Sequence, residues 1–467
     1  MRVVIIGGSD AGISAGLRAR ELDPAASVQV LLADSFPNYS ICGLPFYVSG
    51  ETPDWRDLAH RGREELARAG IELLTEVRAG SIDPSERLVR ASGTGAGELN
   101  LGYDRLVIGT GAEPVRPPIP GLDREGVHLL HTMEDSFQMR RRVEELDGGR
   151  VLIVGGGYIG LEMADAFRHR GLEVTLVEQL PEVMPTVDAG FGARVAQELR
   201  LRGVEVVPAT AIQAVEEGSP RLRVRGADGF RREVDLVLVS VGVRPSSQLA
   251  AAAGAETGPR GGIRVNRRME TNLPGVFAAG DCVETWHRIL ERPAYLPLGT
   301  TSHKQGRVAG ENAVGGSAEF EGSLGTLVVK VFDLAIARTG LRDQEAREAG
   351  FDSLTTETTT WDHKAYYPGA HELRIRVTGD RRTGRLLGAQ MVGHPRAEVA
   401  KRIDIFATAL FHRMTVDAIS DLDLSYTPPF SAPWDPVQTA AQDWVRAFGA
   451  ANTTAEQHLQ TGRVADL

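Results

Sequence analysis

The stretch RVLIVGGGYIG, residues 150–160, decides the fold of its part of the chain. A short apolar run rich in β-branched residues, typical of a buried strand, passes into the pattern Gly155-x-Gly157-x-x-Gly160, and a helical stretch follows at 161–170. Glycines at a strand-to-helix turn let backbone N–H groups approach a pyrophosphate, which a Cβ would block. The stretch therefore predicts a dinucleotide-binding βαβ unit.

The end of the next strand indicates which nucleotide this unit binds. Glu178 lies 18 residues beyond Gly160, and a ribose-binding acid is expected about 20 residues beyond the turn. A carboxylate there accepts a hydrogen bond from a ribose 2′-hydroxyl and repels a 2′-phosphate. Gln179 adds no positive charge. NADH is therefore favoured, and NADPH stays open.

The N-terminus repeats the arrangement with two departures. The strand RVVII at 2–6 ends in Gly7-Gly8-Ser9-Asp10-Ala11-Gly12, and a helical stretch and the strand VQVLL follow. Ser9 replaces the middle glycine, and Leu32 stands where the acid is expected. Asp34, two residues further on, is the nearest candidate for the ribose. The sequence thus predicts a second, less regular nucleotide-binding unit.

The remaining patterns complete the predicted fold. Segments 103–109 and 234–242 are apolar strands that end at glycines, and the Pro-containing turns after them are expected domain crossings. From about residue 325, alternating strands such as 327–332 and 372–377 precede a helical run at 397–413. The fold class is α/β, with two Rossmann-like dinucleotide-binding domains and a separate C-terminal α+β domain.

Composition excludes several classes of function. The net charge of −10 argues against a nucleic-acid binder, and the sequence has no apolar run of the roughly 20 residues that a membrane helix requires. Two cysteines, Cys42 and Cys282, are too few for a disulfide framework or a cysteine-based metal site, and no metal site is expected. The chain starts without a recognisable leader, so a cytoplasmic location is expected.

A third segment, Thr271 to Asp281, is an apolar strand that ends in Gly280-Asp281. With the two glycine turns, Thr110-Gly111 and Gly242 in this order, the chain resembles the flavoprotein pyridine nucleotide–disulfide oxidoreductases. The resemblance implies FAD on the first unit and NAD(P)H on the second. It also implies that Asp281 accepts a ribityl hydroxyl.

The resemblance also divides the chain and assigns its binding residues. It implies an FAD domain of 1–116 and 245–324, an NAD(P)H domain of 117–244 and a homodimer-forming domain of 325–467. The expected FAD residues are Gly7, Gly8, Ser9, Gly12, Asp34, Ser40, Thr110, Gly111, Gly280 and Asp281. The expected NAD(P)H residues are Gly155, Gly157, Tyr158, Ile159, Gly160, Glu178 and Gly242, with Tyr158 a movable lid over the nicotinamide site.

Cys42 is the candidate redox group. A lone cysteine is usually a small buried hydrophobe. Here Gly43 and Pro45 indicate a turn that enters a helix, and a helix N-terminus stabilises a thiolate. Because the chain has one cysteine here, where the classical disulfide reductases have a pair, it resembles the single-cysteine members of the family: CoA-disulfide, persulfide and polysulfide reductases, NADH oxidases and NADH peroxidases. Cys282, directly after Asp281, is expected to be structural.

Two features distinguish these branches. The oxidases and peroxidases carry a histidine where this chain has Asp10. The CoA-disulfide reductases carry catalytic tyrosines in a Tyr-Tyr-Pro-Gly-like loop and before Pro-Pro-Phe-Ser, matched here by Tyr366-Tyr367 and by Tyr426. A phenol suits the protonation of a leaving thiolate because the two pKa values lie within about two units. Whether Tyr366 or Tyr367 takes part stays open.

The substrate region departs from the best-known CoA-disulfide reductases. Asn38 replaces a serine that lies near CoA, Ile41 replaces an asparagine, and the expected loop 298–307 carries His303-Lys304 where Asn-Arg is common. The expected substrate contacts are Arg18, Asn38, Lys304 and Arg307, although the cations equally fit a solvated surface.

The sequence therefore predicts a homodimeric, FAD-dependent NAD(P)H reductase that acts on a small thiol disulfide or persulfide, with CoA derivatives among the candidates. The alternatives are an NADH oxidase or peroxidase that uses a cysteine sulfenic acid, and a flavoprotein electron donor such as a ferredoxin reductase.

Overall fold

The computed structural model describes residues 1–462 except 96, 147 and 219, and the side chains of 451–462 are not described. The chain forms two compact units. The first comprises Met1–Pro181, Gly203–His287 and Glu291–Ser323. The second comprises Glu182–Arg202, Arg288–Leu290 and the chain from Leu324 onward. The finer division into three domains stays a prediction.

The first unit begins with a five-stranded parallel sheet. Its strands lie in the order Val276–Ala278, Arg105–Ile108, Arg2–Ile6, Ser27–Leu32 and Ile71–Thr75. Alternate side chains of Arg2–Ile6 enter different cores, because successive residues of a strand point to opposite faces. Val3 and Ile5 pack with residues of the helices Asp10–Leu22 and Gly299–Ala313, whereas Val4 and Ile6 pack with an antiparallel sheet. That sheet consists of Val77–Asp83, Leu88–Gly93 and Gly97–Gly102.

A second five-stranded parallel sheet repeats this plan. Its strands lie in the order Val204–Val207, Glu173–Val177, Arg150–Val154, Leu236–Val239 and Val127–His128. The helix Tyr158–His169 connects its central strands, and the helix Met133–Glu145 precedes them. An antiparallel sheet of Ile212–Glu216, Leu222–Gly226 and Arg231–Val234 shares its core. Both predicted nucleotide-binding units are therefore present.

The two Pro-containing turns pair with each other. Ala112–Pro114 and Val243–Pro245 form a two-stranded antiparallel ribbon, directly after the strands Arg105–Ile108 and Leu236–Val239. Both chain segments that were expected to be domain crossings thus lie side by side.

The other elements of the first unit are short. A small sheet contains Ile263–Arg264, Val283–His287 and Arg292–Ala294. The short α-helices are Leu44–Ser49, Arg63–Arg68 and Gln248–Ala252, and the 3₁₀ turns are Ile41–Gly43, Trp55–Leu58 and Ala227–Gly229. The expectation of a loop at 298–307 is wrong, because these residues start the helix Gly299–Ala313.

The second unit contains an antiparallel sheet, as the C-terminal pattern predicts. Its strands lie in the order Leu327–Val331, Leu334–Gly340, Leu386–Gly393, Glu372–Asp380 and Ser353–Trp361. Its α-helices are Ala189–Leu201, Asp343–Glu348, Val399–Phe411, Val416–Ser420 and Pro436–Gly462, with a 3₁₀ turn at Pro395–Ala397. Trp444 and Phe406 are fully buried in the core of this unit. The predicted α/β fold with a separate C-terminal domain is confirmed.

Membrane insertion finds no support in the helices. Among the described residues, no helix combines the length and the apolar character needed to cross a bilayer.

Candidate active site

The first glycine turn is shaped by close backbone packing. Gly7 has φ +109°, and a Cβ there would lie 2.0 Å from the carbonyl oxygen of Gly109. A Cβ on Gly12 would lie 1.9 Å from the carbonyl oxygen of Gly7. Ser9 then precedes the helix that begins at Asp10. The turn therefore brings the N-terminus of a 13-residue helix to the end of a buried strand, as binding of a pyrophosphate requires.

The second turn has the same packing and one open position. Gly155 has φ +109°, and a Cβ on Gly160 would lie 2.1 Å from its carbonyl oxygen. A Cβ on Gly157, by contrast, would have no heavy atom of the described residues within 4 Å. The outer glycines are thus required by the turn itself, whereas Gly157 fits the role of letting a ligand approach the backbone. Tyr158 and Ile159 start the following helix and are half-buried.

Glu178 is buried beside this turn. Its Oε2 accepts a hydrogen bond of 2.7 Å from the backbone N–H of Gly156, and its Oε1 accepts one of 2.8 Å from that of Leu180. A carboxylate offers about four acceptor positions, so both oxygens retain capacity for a ribose hydroxyl. The contact to Gly156 links the acid directly to the glycine turn.

Gly280 and Asp281 are held by the helix Gly299–Ala313. The N–H of Gly280 donates to Gln305 Oε1 at 2.9 Å, and Ser302 Oγ donates to Asp281 Oδ1 at 2.9 Å. Burial raises the pKa of Asp281, and the nearby Asp10 carboxylate adds to this shift. The carboxylate therefore has a fixed acceptor geometry in mostly buried surroundings.

The other expected cofactor residues lie in the connections between strands. Thr110 Oγ1 donates to the carbonyl oxygen of Ser246 at 2.5 Å, and the carbonyl oxygen of Gly111 accepts from the N–H of Ser246 at 2.9 Å. The carbonyl oxygen of Gly242 accepts from the N–H of Val115 at 2.9 Å. These contacts fix the ends of the paired ribbon.

The expected ribose acid of the first unit is half-buried. Asp34 Oδ1 accepts a hydrogen bond of 2.8 Å from the N–H of Phe36, and burial raises the pKa of Asp34 while that N–H and Arg78 oppose the rise. Leu32 is buried, and its side chain approaches Gly8. Leu32 therefore occupies the position where the ribose-binding acid was expected, and the nearest acid, Asp34, lies two residues further along the chain.

Cys42 lies on a turn between the two nucleotide-binding units. It belongs to the 3₁₀ turn Ile41–Gly43, which follows Ser40 and passes into the helix Leu44–Ser49. Upstream, the N–H of Asn38 donates to the carbonyl oxygen of Gly8 at 2.9 Å. Downstream, Arg170 Nε donates to the carbonyl oxygen of Val48 at 2.9 Å. The thiol is exposed, and Pro45 is near the start of the helix, as predicted.

The electrostatic surroundings of Cys42 differ from the sequence-based expectation. Although Cys42 is accessible to solvent, the surrounding protein partly desolvates its thiol; this desolvation, followed by the carboxylates of Glu162, Asp10 and Asp281, raises the pKa of the thiol, and a backbone hydrogen bond lowers it. The expected stabilisation of a thiolate by the helix N-terminus is therefore wrong for the surroundings as a whole. Desolvation of the thiol, together with the three nearby negative charges, outweighs the backbone hydrogen bond that lowers its pKa.

Cys282 has different surroundings. Its side chain is fully buried, with Sγ 3.4 Å from the carbonyl oxygen of Ala279 and 3.6 Å from that of Ile108. Burial raises the pKa of this thiol. These observations agree with the expected structural role.

The three candidate tyrosines lie in the second unit. Tyr366 is 74% exposed, Tyr367 41% and Tyr426 45%. The ring of Tyr367 contacts that of His363 edge-on, at 5.8 Å between centroids, and His363 Nδ1 lies 3.0 Å from Asp362 Oδ1. Tyr367 is therefore less exposed than Tyr366, and its ring is held by the contact with His363.

Buried Arg402 connects the two loops that carry these tyrosines. Its Nη2 donates to the carbonyl oxygens of Asp362 and Phe430, at 2.7 and 3.2 Å, and it forms an ion pair with Asp435 at 3.3 Å. Sequence reasoning missed this residue. A signal was present, since Arg402 occupies the apolar face of the helix Val399–Phe411, where a charge requires a buried partner.

The expected substrate contacts are partly engaged within the chain. Arg18 donates to Glu311 Oε2 at 2.6 Å and forms an ion pair with Glu21, which Arg307 also approaches at 3.7 Å. Lys304 is exposed. Asn38 is 3% exposed and has φ +49°, so its side chain faces the protein.

Asp10 and His303, which sequence reasoning treated separately, contact each other. His303 Nε2 lies 3.3 Å from Asp10 Oδ1, and His303 Nδ1 lies 2.9 Å from Ser14 Oγ. The ring of His60 lies 6.1 Å from that of His303, edge-on. Both Asp10 and His303 had been noted as departures from the family pattern, but their contact requires the packing of two distant helices.

The chain matches known proteins along most of its length. Residues 1–306 match the family described as pyridine nucleotide-disulphide oxidoreductase, and residues 326–436 match the dimerisation domain of that family. An NAD(P)H coenzyme A polysulfide/persulfide reductase of Pyrococcus horikoshii is 34% identical over 94% of this chain and 98% of its own. An NADH oxidase of Methanocaldococcus jannaschii is 33% identical over 95% and 98%.

The structural comparison agrees with these matches. The solved structure of an NAD-dependent persulfide reductase from A. fulgidus superposes with a TM-score of 0.93, at 38% identity, over 96% of this chain and 84% of that chain. The matches confirm the resemblance that the glycine turns and the Gly280-Asp281 segment predict. The chain belongs to the pyridine nucleotide-disulphide oxidoreductase family.

Proposed function

We propose that the chain is an FAD-dependent NAD(P)H reductase of a low-molecular-weight disulfide or persulfide, with Cys42 as its redox-active group. The observation that carries the proposal is the position of Cys42, an exposed residue on a turn whose flanking segments, at Asn38 and Val48, are hydrogen-bonded to the first and the second nucleotide-binding unit. The names of the Pyrococcus and A. fulgidus relatives support a persulfide or related substrate. CoA derivatives are the first substrates to test.

The two glycine turns fit the two cofactors. FAD would bind at Gly7, Gly8, Ser9 and Gly12, with Asp281 as an acceptor for its ribityl chain. When bound, FAD accepts a hydride from NAD(P)H and supplies two electrons for the reduction of sulfur. NAD(P)H would bind at the second turn, where buried Glu178 disfavours a 2′-phosphate and therefore NADPH. The proposal assigns the remaining expected residues to the same two cofactors: Asp34, Ser40, Thr110, Gly111 and Gly280 to FAD, and Gly155, Gly157, Tyr158, Ile159, Gly160 and Gly242 to NAD(P)H.

The chemistry at Cys42 follows from thiol–disulfide exchange. The Cys42 thiolate attacks one sulfur of the disulfide RSSR, the S–S bond breaks, and a thiolate leaves and takes up a proton. Two electrons from NADH then release the second thiolate from Cys42. The overall reaction is NADH + H⁺ + RSSR → NAD⁺ + 2 RSH, or NADH + H⁺ + RSSH → NAD⁺ + RSH + H₂S for a persulfide. Tyr426, with Tyr366 or Tyr367, is the proposed donor of one proton.

The proposal includes a homodimer in which the tyrosines of one subunit serve Cys42 of the other. The match to a dimerisation domain supports association of two copies. Exposed aromatic side chains on the second unit also support it, namely those of Trp361, Phe430 and Trp434. A monomeric form should then lack turnover.

The test compares Cys42→Ser with Cys282→Ala as the matched control. Under anaerobic conditions, Cys42→Ser should retain bound FAD and its reduction by NADH but lose turnover with CoA disulfide, CoA persulfide and polysulfide. Cys282→Ala should retain turnover. If Cys42→Ser reduces all three substrates at the wild-type rate, the thiol mechanism is wrong.

The second candidate is an NADH oxidase or peroxidase, which the Methanocaldococcus relative favours. Oxygen or peroxide consumption faster than disulfide reduction would support it. Electron transfer to ferredoxin that survives Cys42→Ser would instead support a flavoprotein electron donor.

A further inference from the structure

Three side chains of metal-binding type, those of Asp10, His60 and His303, meet in the first unit and are called here the Asp10 cluster. Each offers one ligand atom, and these atoms all lie within 4.8 Å of one another. Asp10 Oδ1 and His303 Nε2 are 3.3 Å apart. Two ligand atoms that bind the same tetrahedral ion at about 2.0 Å are separated by about 3.3 Å. This pair therefore already has the spacing that a shared ion requires.

Close packing of two helices fixes two of the ligands. Asp10 begins the helix Asp10–Leu22, and His303 belongs to the helix Gly299–Ala313. A Cβ on Gly306 would lie 2.2 Å from the carbonyl oxygen of Ala11, so the two backbones are in contact one turn from each ligand. The carboxylate and the imidazole are thus held against each other by rigid elements.

The loop that carries His60 is tied to the first glycine turn. The N–H of His60 donates to the carbonyl oxygen of Asn38 at 2.8 Å, and the N–H of Asn38 donates to that of Gly8 at 2.9 Å. Gly8 lies two residues before Asp10, so backbone hydrogen bonds connect these two ligands. The exposed ring of His60 lies edge-on to that of His303, at 6.1 Å between centroids. Since an exposed ring turns at little cost, it can close on an ion that the other two ligands hold.

Asp10 Oδ1 is a buried acceptor that needs a partner. It is shielded from solvent, and it has no hydrogen-bond partner among the described residues. His303 Nε2 is close to it, but the geometry between the two atoms is not that of a hydrogen bond. A buried polar atom without a partner is costly, and an ion is one of the groups that can satisfy it. An ion between Oδ1 and Nε2 would bind both atoms.

Ser14 supports His303 from the side opposite to the cluster. Its Oγ lies 2.9 Å from His303 Nδ1 and can accept a hydrogen bond from Nδ1–H. In that tautomer Nε2, the nitrogen that faces Asp10, keeps the lone pair that binds a metal. A metal-binding histidine almost always donates its other ring N–H in this way, which fixes the orientation of the ring.

We propose that the Asp10 cluster binds a first-row divalent cation, and Zn²⁺ is the first ion to test. Imidazole nitrogens favour Zn²⁺ and its neighbours in the series, whereas Mg²⁺ and Ca²⁺ prefer oxygen ligands. Two imidazoles and one carboxylate leave a coordination position open, which water fills. Sequence reasoning expected no metal site because it considered cysteine ligands, whereas these three ligands come from distant parts of the chain. The proposal is independent of the redox role proposed for Cys42.

Bound FAD is the competing explanation of the unpaired oxygen. Asp10 directly follows the glycine turn at which FAD is proposed to bind, so a hydroxyl group of FAD could donate to Oδ1. That contact would account for the carboxylate alone. It would leave the convergence of two imidazoles and the support from Ser14 without a role. Measurements on the FAD-loaded protein separate the two explanations, because FAD and the ion would then compete for the same oxygen.

The experiment measures zinc binding by the FAD-loaded protein. The protein is dialysed against a chelator, titrated with ZnCl₂ in a calorimeter, and analysed for zinc after gel filtration. We expect about one zinc ion per subunit. Ser14→Ala should lower the affinity by about 10- to 100-fold, which is typical for loss of a group that orients a ligand. Asp10→Asn, His60→Asn and His303→Asn should each lower it further, because each removes a ligand.

Two variants serve as controls. His169→Asn replaces an exposed histidine elsewhere in the first unit and should keep the wild-type affinity. Cys42→Ser should also keep it, because the thiol is not a ligand of the proposed site. Failure of the FAD-loaded wild type to retain zinc would overturn the proposal. Wild-type affinity in both His60→Asn and His303→Asn would overturn it too, as would loss of binding in Cys42→Ser.

X-ray absorption at the zinc edge gives a test that needs no variant. The zinc-loaded wild type should show nitrogen and oxygen ligands at about 2.0–2.1 Å, with the outer scattering of imidazole rings. A sulfur ligand at about 2.3 Å would overturn the proposal, because the Asp10 cluster contains no sulfur.

Discussion

Replacement of Arg402 by methionine tests whether this buried arginine holds together the two loops that carry Tyr366, Tyr367 and Tyr426. The substitution keeps a long side chain but leaves the Asp435 carboxylate buried without its counter-ion. The carbonyl oxygens of Ala397, Asp362 and Phe430 also lose their donors. Breaking a buried pair from one side costs about 3–5 kcal/mol. At about 2–4 °C per kcal/mol for a unit of this size, the melting temperature should fall by about 6–20 °C.

Thermal unfolding of the purified protein, followed by tryptophan fluorescence, measures this change. Arg402→Met with Asp435→Asn should recover part of the loss, because no unpaired charge then remains buried. Arg396→Met, at an exposed arginine near the same helix, should change stability by less than about 0.5 kcal/mol. If Arg402→Met melts like the wild type, Arg402 does not connect these loops as described.

Two predictions concern the nucleotide turn and one concerns the thiol. Gly157→Ala should fold and raise the KM for NADH, whereas Gly160→Ala should disrupt the turn and lower the melting temperature, because its Cβ would lie 2.1 Å from a carbonyl oxygen. Glu178→Gln should decrease the preference for NADH over NADPH, measured as the ratio of kcat/KM values. Glu162→Gln removes a negative charge that raises the Cys42 pKa, so alkylation of Cys42 should begin at lower pH; an unchanged alkylation curve would exclude this charge effect.

Local patterns predicted much of the fold. Strand, glycine turn and helix follow one another within each nucleotide-binding unit, so the backbone requirements at Gly155 and Gly160 are visible in the sequence. Pro45 likewise indicated the helix after Cys42. Such features depend on residues that are close in the sequence, so hydrophobic periodicity and the residues typical of turns are enough to predict them.

The helix Gly299–Ala313 shows why other features were missed. Gly306 and Gly310 lower helix propensity, and the segment was expected to be a loop. Tertiary packing requires them, because a Cβ on either would lie within 2.2 Å of a backbone oxygen of the helix Asp10–Leu22. The same packing brings His303 to Asp10. No local pattern contains a contact between residues that lie 293 positions apart.

Electrostatics at Cys42 also required the structure. The packing that desolvates its thiol, and the carboxylates near it, come from separate elements, so the sequence suggested only the helix N-terminus and therefore the opposite sign of the pKa shift. Arg402 depends in the same way on two loops that meet at one buried guanidinium.

The most direct test of the central claim identifies the sulfur that reacts. Protein treated with CoA disulfide in the absence of NADH is digested, and the peptides are analysed by mass spectrometry. We expect one CoA adduct on the peptide that contains Cys42, no adduct on Cys282, and release of the adduct as free CoA thiol when NADH is added. Steady NADH-dependent reduction of CoA disulfide without an adduct on Cys42 would contradict the account.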